Sequence, residues 1–335
     1  MSSEQFSTDD ADADARSRLD VVVVSFETPG LLDSCLRSIA ASPRAGNVVV
    51  VDNSTTSACA DVAADRHPSV TLIRPPANVG YGAAANIGVE ATTTDVVLIL
   101  NADTWLAAGS VEALLDSFDR HADAAVVGPR LSTESGVVQP SCARFPTPAS
   151  VWLHQSGVWK LFRRTPLGPV TQPFFEPAGA GVVPWVLGAA LAVRRSAFER
   201  VGGFDPAFFM YYEEVDLCRR LAAIGYTTRF APTANVHHVG GASTAGDAAT
   251  MRRTMYRSLA TYTARHGGRG QSLLLRVAVV AAEMMQMLRD VALAILRRPR
   301  RPHLAAARNR WSTVGDALRG WPAASAAVSV ERVAA

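Results

Sequence analysis

Short apolar runs punctuate the first part of the chain, and between them the apolar positions fall at helical spacing. The runs are Asp20–Ser25, Asn47–Asp52, Val70–Ile73, Val96–Leu100 and Ala124–Gly128. Continuous runs of this length read as strands buried on both faces, as in a parallel sheet. After the first run, Thr28-Pro29 marks a helix start, and Leu31, Leu32, Cys35, Leu36 and Ile39 repeat with helical period. Strands alternating with helices at this pace predict an α/β fold with a doubly wound, parallel sheet.

The pattern then changes. Residues 129–184 carry many prolines and scattered aromatics, the mark of a functional loop or lid suited to acceptor recognition. Trp185–Val193 reads as a strand, with Gly188 marking a place where something approaches the backbone. A helix begins near Asp216, and Thr227–Ala231 reads as another strand. Ser272–Leu296 is strongly apolar, yet Arg276, Glu283, Asp290 and Arg297 recur at every seventh position along one helix face. Such a helix lies in a membrane interface or packs on the rest of the protein, and the first reading is favoured.

Charge sharpens that picture. Met251–Ala335 holds 15 arginines and 4 acidic residues, a net of +11, which leaves −8 on the rest of a chain with formal charge +3. A basic end on an acidic protein points to an anionic partner, and beside an apolar helix that is lipid rather than nucleic acid. Residues 1–18 read as a disordered acidic tail without a signal peptide. Cys35, Cys59, Cys142 and Cys218 show no metal-type spacing and suggest a reducing compartment.

Three stretches carry candidate chemistry. The fourth run ends in Asn101 and Asp103, where ligands of open α/β sheets bind, so Asp103 is a candidate anchor for a metal and a diphosphate. A turn or a helix cap is the plain alternative there. Glu213, Glu214 and Asp216 lie beside Tyr211 and Tyr212. An aromatic wall desolvates a carboxylate and raises its proton affinity, which suits a general base, although acids also favour helix starts. His237 and His238 close the last strand region and are candidate metal ligands. Gly80-x-Gly82-x-x-Ala85 has the letters of a dinucleotide fingerprint but follows the third strand, so an NAD-dependent oxidoreductase is the weaker reading. Asn78 and Asn86 flank that segment, within reach of a nucleotide.

Val21-Val-Val-Val-Ser-Phe26, Val51-Asp-Asn-Ser54, Asn78-Val-Gly-Tyr-Gly82, Leu100-Asn-Ala-Asp103, Gly202-Gly-Phe-Asp205, Tyr212-Glu-Glu-Val-Asp216 and His237-His238 stand in one order. As an ordered set they resemble the family 2 inverting glycosyltransferases, over about residues 19–266. The subgroup they look most like is the actinobacterial rhamnosyltransferases acting on N-acetylglucosaminyl-diphospho-polyprenol.

The resemblance implies a GT-A fold with a mostly parallel central sheet; the apolar and basic pattern beyond it predicts an amphipathic helical appendage over residues 267–335. The resemblance implies a nucleotide-sugar donor (dTDP-rhamnose favoured), a polyprenyl-linked glycan acceptor, and Mg²⁺ or Mn²⁺. It also implies peripheral work at the cytoplasmic face of the plasma membrane. Carried over by position, Asp52 holds the pyrimidine base, and Ser25, Asn78, Gly80 and Asn86 line the nucleotide site. Asp103 and His238 take the metal and diphosphate. Glu214 is the base, with Glu213 beside it in the substrate site. Asn101 stands where the family has its first Asp, and Glu214 where it usually has Asp. The alternatives are transfer of another sugar to a different cell-surface glycan, and a non-catalytic nucleotide-binding module.

Overall fold

A computed structural model describes residues 19–162, 164–166, 168–240, 248–296 and 301–321. The acidic tail and Arg297 of the sevenfold-spaced set lie outside these residues.

The first half alternates as expected: β1 (Leu19–Ser25), α1 (Pro29–Ala40), β2 (Ala45–Asp52), α2 (Ala58–Arg66), β3 (Thr71–Ile73), α3 (Tyr81–Glu90), β4 (Val96–Asn101), β5 (Thr104–Leu106), α4 (Ser110–Arg120) and β6 (Ala124–Ser132). Then come β7 (Val138–Gln139), α5 (Pro148–Ser156), β8 (Gly181–Val183), β9 (Ala190–Arg194), α6 (Glu213–Ala223), β10 (Thr227–His238), α7 (Ala248–Leu296) and α8 (Arg301–Arg319). The main sheet has the order β8-β10-β6-β9-β4-β1-β2-β3, with β5 on β10 and β7 on β6. β3, β2, β1 and β4 pair in parallel, as do β6 and β10, while β9 runs antiparallel between β4 and β6.

The unbroken valine runs follow from burial on both faces. Val22, Val24, Val97 and Ile99 enter one core with α3 and α6, while Val21, Val23, Leu98 and Leu100 enter another with α1 and α4. Each fully buried aliphatic side chain contributes about 1.5–3 kcal/mol. At the amino ends of the strands, the Asp20 carboxylate accepts bonds from the amides of Asn47, Thr93 and Thr94, so a buried charge ties three segments together.

Two strand expectations change. Trp185–Val193 is not one strand: Trp185–Val186 joins a small separate sheet, and β9 starts only at Ala190. The break at Leu187–Ala189 borders the main cavity, where Gly188 meets Glu214. β10 does not stop at Ala231 but runs on to His238 after a register shift against β6. The expected boundary near 266 falls inside α7, beside Gly268, where φ of +70° breaks the helix. Among the described residues, no helix is long and apolar enough to cross a membrane.

Candidate active site

The site forms where strand ends meet. β4 stops at Asn101, and the chain turns through Ala102 and Asp103 into β5. β5 pairs antiparallel with the end of β10, setting Thr104 opposite His238, and the Val239 amide donates to the Asp103 carbonyl at 3.0 Å. This pairing joins two segments more than a hundred residues apart. The Asp103 carboxylate, 6% exposed, lies 3.5 Å from Nε2 of His238. On the other side of the ring, Nδ1 contacts Gln139 Oε1 at 3.0 Å. An amide oxygen only accepts, so Nδ1 carries the proton and the Nε2 lone pair faces Asp103. Burial lowers the His238 pKa, against the opposing pull of Asp103. His237 faces elsewhere: Nδ1 lies 3.1 Å from Ser132 Oγ, and its ring packs beside Trp105. Of the two histidines, only His238 borders the cavity.

Glu213 and Glu214 open α6, following Tyr211 and Tyr212, both with φ of +69°. Two successive non-glycine residues in the left-handed region store strain, as functional sites often do. They turn the helix start into the cavity, and both glutamates are buried. Burial pushes the Glu213 carboxyl well above the usual carboxylate range, and the charge of Glu214 pushes it further. Burial also raises Glu214, opposed by backbone amides that include Gly188. Among the described residues, Oε2 of each glutamate lacks a hydrogen-bond partner. The Gly188 carbonyl in turn accepts the Tyr81 hydroxyl at 2.6 Å, so one glycine links the helix bearing Tyr81 to the acids.

The opposite wall follows β1 and β2. Ser25 Oγ donates to Asp52 at 3.3 Å, and Arg74 Nε lies 3.1 Å from the other Asp52 oxygen. Asn53 bridges to Asn78 at 2.8 Å and accepts from the Val79 amide at 3.0 Å. Gly80 is held by close approach: with φ of +87°, a Cβ there would lie 2.3 Å from the Phe209 carbonyl oxygen. Asn53, Asn78, Gly80, Asp103, Glu213, Glu214 and His238 border one cavity of about 430 Å³. Ser25 and Asp52 sit just behind this lining, next to Val24 and Asn53. Asn86 does not border it. Both ends of its side chain bond the backbone of Phe204, at 2.7 and 2.9 Å, so it pins the Gly202–Asp205 turn instead of reaching a nucleotide.

Sequence reasoning passed over several neighbours. Asn53 was visible in the Val51–Ser54 motif. Gln139 and Arg74 carried no local signal. Glu27, at φ of +51°, accepts from the amides and hydroxyls of Thr55 and Thr56, hydrogen bonds that lower its pKa to about 2 and brace the loop after β2.

In electrostatic terms the cavity presents two acceptors face to face, Asp103 and the His238 lone pair, and a pair of acids short of hydrogen-bond donors. Among the described residues, no three His, Cys, Asp or Glu side chains meet at one point. Two protein ligands with open positions suit a hard divalent cation whose remaining ligands are phosphate oxygens.

Comparison with known proteins agrees. Residues 20–176 match the family described as "Glycosyl transferase family 2", and residues 170–306 match "Glycosyl transferase family group 2". The chain is 34% identical over 264 residues to the N-acetylglucosaminyl-diphospho-decaprenol L-rhamnosyltransferase of Mycobacterium tuberculosis (strain ATCC 25618 / H37Rv), covering 75% of this chain and 85% of that one. In fold it is similar to the mannosyltransferase PcManGT from Pyrobaculum calidifontis in complex with GDP-Man and Mn²⁺, with a TM-score of 0.54 at 16% identity, covering 92% and 89%. It is also similar to GalNAc-T7 with UDP, GalNAc and Mn²⁺, with a TM-score of 0.53 at 16% identity, covering 76% and 52%.

Proposed function

The chain belongs to glycosyl transferase family 2, and from that premise we propose that it moves L-rhamnose from dTDP-rhamnose to N-acetylglucosamine on a polyprenyl diphosphate. The observation that carries a transferase site is the meeting of Asp103, Glu214 and His238 at one cavity. The rhamnosyl donor and the polyprenyl acceptor rest on the relative's printed activity. An acceptor carried on a polyprenyl chain sits in a membrane, so the enzyme works peripherally, at the cytoplasmic face.

Asn53, Asn78 and Gly80 form the nucleoside end of the cavity, with Asp52 behind them. Asp103 and Nε2 of His238 would hold a divalent metal, Mg²⁺ or Mn²⁺, and the Gln139 contact presents that nitrogen unprotonated. When bound, such a metal neutralises charge on the leaving diphosphate. Glu214 takes the proton from the acceptor hydroxyl as its oxygen attacks the anomeric carbon. The bond from that carbon to the diphosphate oxygen breaks on the opposite face, inverting the configuration. Glu213 lies beside Glu214, and burial raises the proton affinity of both carboxyls, so the pair acts as one acid–base unit. The Gly188 amide holds the Glu214 carboxylate, leaving Oε2 for the incoming hydroxyl.

The test is release of nucleoside diphosphate from a panel of nucleotide sugars, with Mg²⁺ or Mn²⁺, with and without a polyprenyl-linked acceptor. Turnover of dTDP-rhamnose above the other donors is the expected result. Turnover of a different donor would reassign the sugar. Donor binding without turnover of any donor, under either metal, would leave a binding module in place of an enzyme.

A further inference from the structure

The C-terminal helices are built inside out. α7 packs on α8 and α5 with its acidic residues inward: Glu283 is 1% exposed and Asp290 3%. Arg310 of α8 reaches both, with NH1 2.8 Å from Glu283 and Nε 2.8 Å from Asp290. Asp316 is likewise buried and paired with Arg253 at 2.8 Å. The opposite side of α7 is apolar and open. Leu274, Val277, Leu288 and Ile295 are 59, 60, 64 and 69% exposed. Their spacing keeps them on one stripe, which runs along about 30 Å of helix at 1.5 Å per residue. Leu273 and Leu296 extend it, and Trp311 and Leu318 are exposed on α8. An exposed apolar patch of this extent marks a contact surface.

Near the break at Gly268 lies a second cavity of about 200 Å³. Arg257, Thr261, Ser272, Arg276 and Trp321 help line it. Among the described residues, neither Arg257 nor Arg276 has an acidic partner, in contrast to Arg252, Arg253 and Arg310, which are all paired. The Trp321 indole N–H is buried there, and among the described residues it too has no acceptor. Two guanidinium groups, the Thr261 hydroxyl and an indole donor are the chemistry of a phosphate site, while the Ser272 hydroxyl is taken by the Gly268 carbonyl at 2.8 Å.

We propose that the outer face of the α7–α8 hairpin docks on an anionic bilayer, the stripe entering the acyl boundary and the Arg257–Arg276–Trp321 cavity seating a lipid phosphate. This deepens the peripheral attachment proposed above by naming the face and the headgroup. Charge selects the occupant. The segment from Met251 onward carries +11, so a second copy apposed on this face brings repulsion, while an anionic leaflet brings complementarity.

The test is co-sedimentation of the full chain with vesicles of phosphatidylcholine alone, or with about one quarter phosphatidylglycerol. The expected result is binding at least about tenfold stronger to the anionic vesicles. Leu288→Glu with Ile295→Glu abolishes binding to both compositions at an unchanged melting temperature. Arg257→Gln with Arg276→Gln removes the anionic preference and keeps residual binding. Wild-type-like binding by the stripe variant, or no binding by the wild type, overturns the docking face. A kept anionic preference in the arginine variant overturns the phosphate site. A dimer in vesicle-free buffer that dissolves in the stripe variant, without vesicle binding, assigns the face to a second copy. Donor turnover without vesicles is read on the same preparations. Turnover without docking fells only this proposal, and docking without turnover of any donor, even with a polyprenyl-linked acceptor, fells only the transferase reading.

Discussion

Glu213 and Glu214 in the active-site cavity, and Glu283 and Asp290 under α8, are two pairs of buried acids treated in opposite ways. Among the described residues, the first pair has no cation beside it and keeps an unpartnered oxygen on each side chain, and both carboxyls are pushed upward by burial. The second pair is saturated by Arg310. Burial acts to raise Asp290 as well, but hydrogen bonds from Arg310 and Arg289 outweigh it and the pKa falls. Burial alone therefore says little about a carboxylate's role. A buried acid with its counter-charge is architecture, and a buried acid left without one, at the edge of a cavity, is poised to take a proton.

The strongest way to break this comparison is to remove the poised charge. Glu214→Gln lowers kcat by about 10²–10⁴-fold with donor binding retained, because only proton transfer is lost. Steady-state kinetics beside a nucleotide-binding titration check it, and full activity would move the base to Glu213. On the architectural side, Arg310→Ala leaves Glu283 only Tyr256 and Arg252, and Asp290 only Arg289, and costs about 1–3 kcal/mol, read by denaturant unfolding. Converting Arg310, Glu283 and Asp290 together to apolar residues of similar size restores most of that loss, whereas no such replacement rescues Glu214. A smaller effect tests the neighbour that fixes His238. Gln139→Leu weakens Mn²⁺ binding about 10–100-fold, measured by calorimetric titration in the presence of nucleotide, while leaving the fold intact.

The subtlest contrast is in pH dependence, where the two pairs act with opposite sign. Glu213 and Glu214 have raised folded-state pKa values, so their contribution to stability is complete below the unfolded value of about 4.3 and fades as pH rises through the folded values. Asp290 and Asp316 have lowered ones. Their contribution is present above the unfolded value of about 3.9 and is lost as pH falls through the folded values. Unfolding midpoints measured downward from neutral pH should therefore rise first and then fall, and Glu213→Gln with Glu214→Gln should remove only the rise.

Much of this was legible in the chain itself. The valine runs of β1, β2 and β4 announce doubly buried strands, because burial on both faces leaves no polar position to alternate with. Asp103, Glu214 and His238 could be named from residue type and motif order. Other features lay beyond local pattern. The sevenfold spacing of Arg276, Glu283 and Asp290 showed one polar face on α7 but not which way it points. That direction depends on Arg310, contributed by another helix, and it turned the apolar side outward. Asn86 had the composition of a nucleotide contact, yet Phe204 claims both ends of its amide.

The sequence by itself determined the alternating strands and helices of the first half and the inventory of reactive side chains, since these follow from hydrophobic period and chemical type, both local properties. Tertiary structure alone decided which of those side chains meet. β5 on β10 brings Asp103 to His238, Gln139 leaves the histidine its free nitrogen, and the turn at Tyr211–Tyr212 delivers Glu214 to the same cavity. Electrostatic character depends on distance and burial, so it becomes fixed only when remote segments pack.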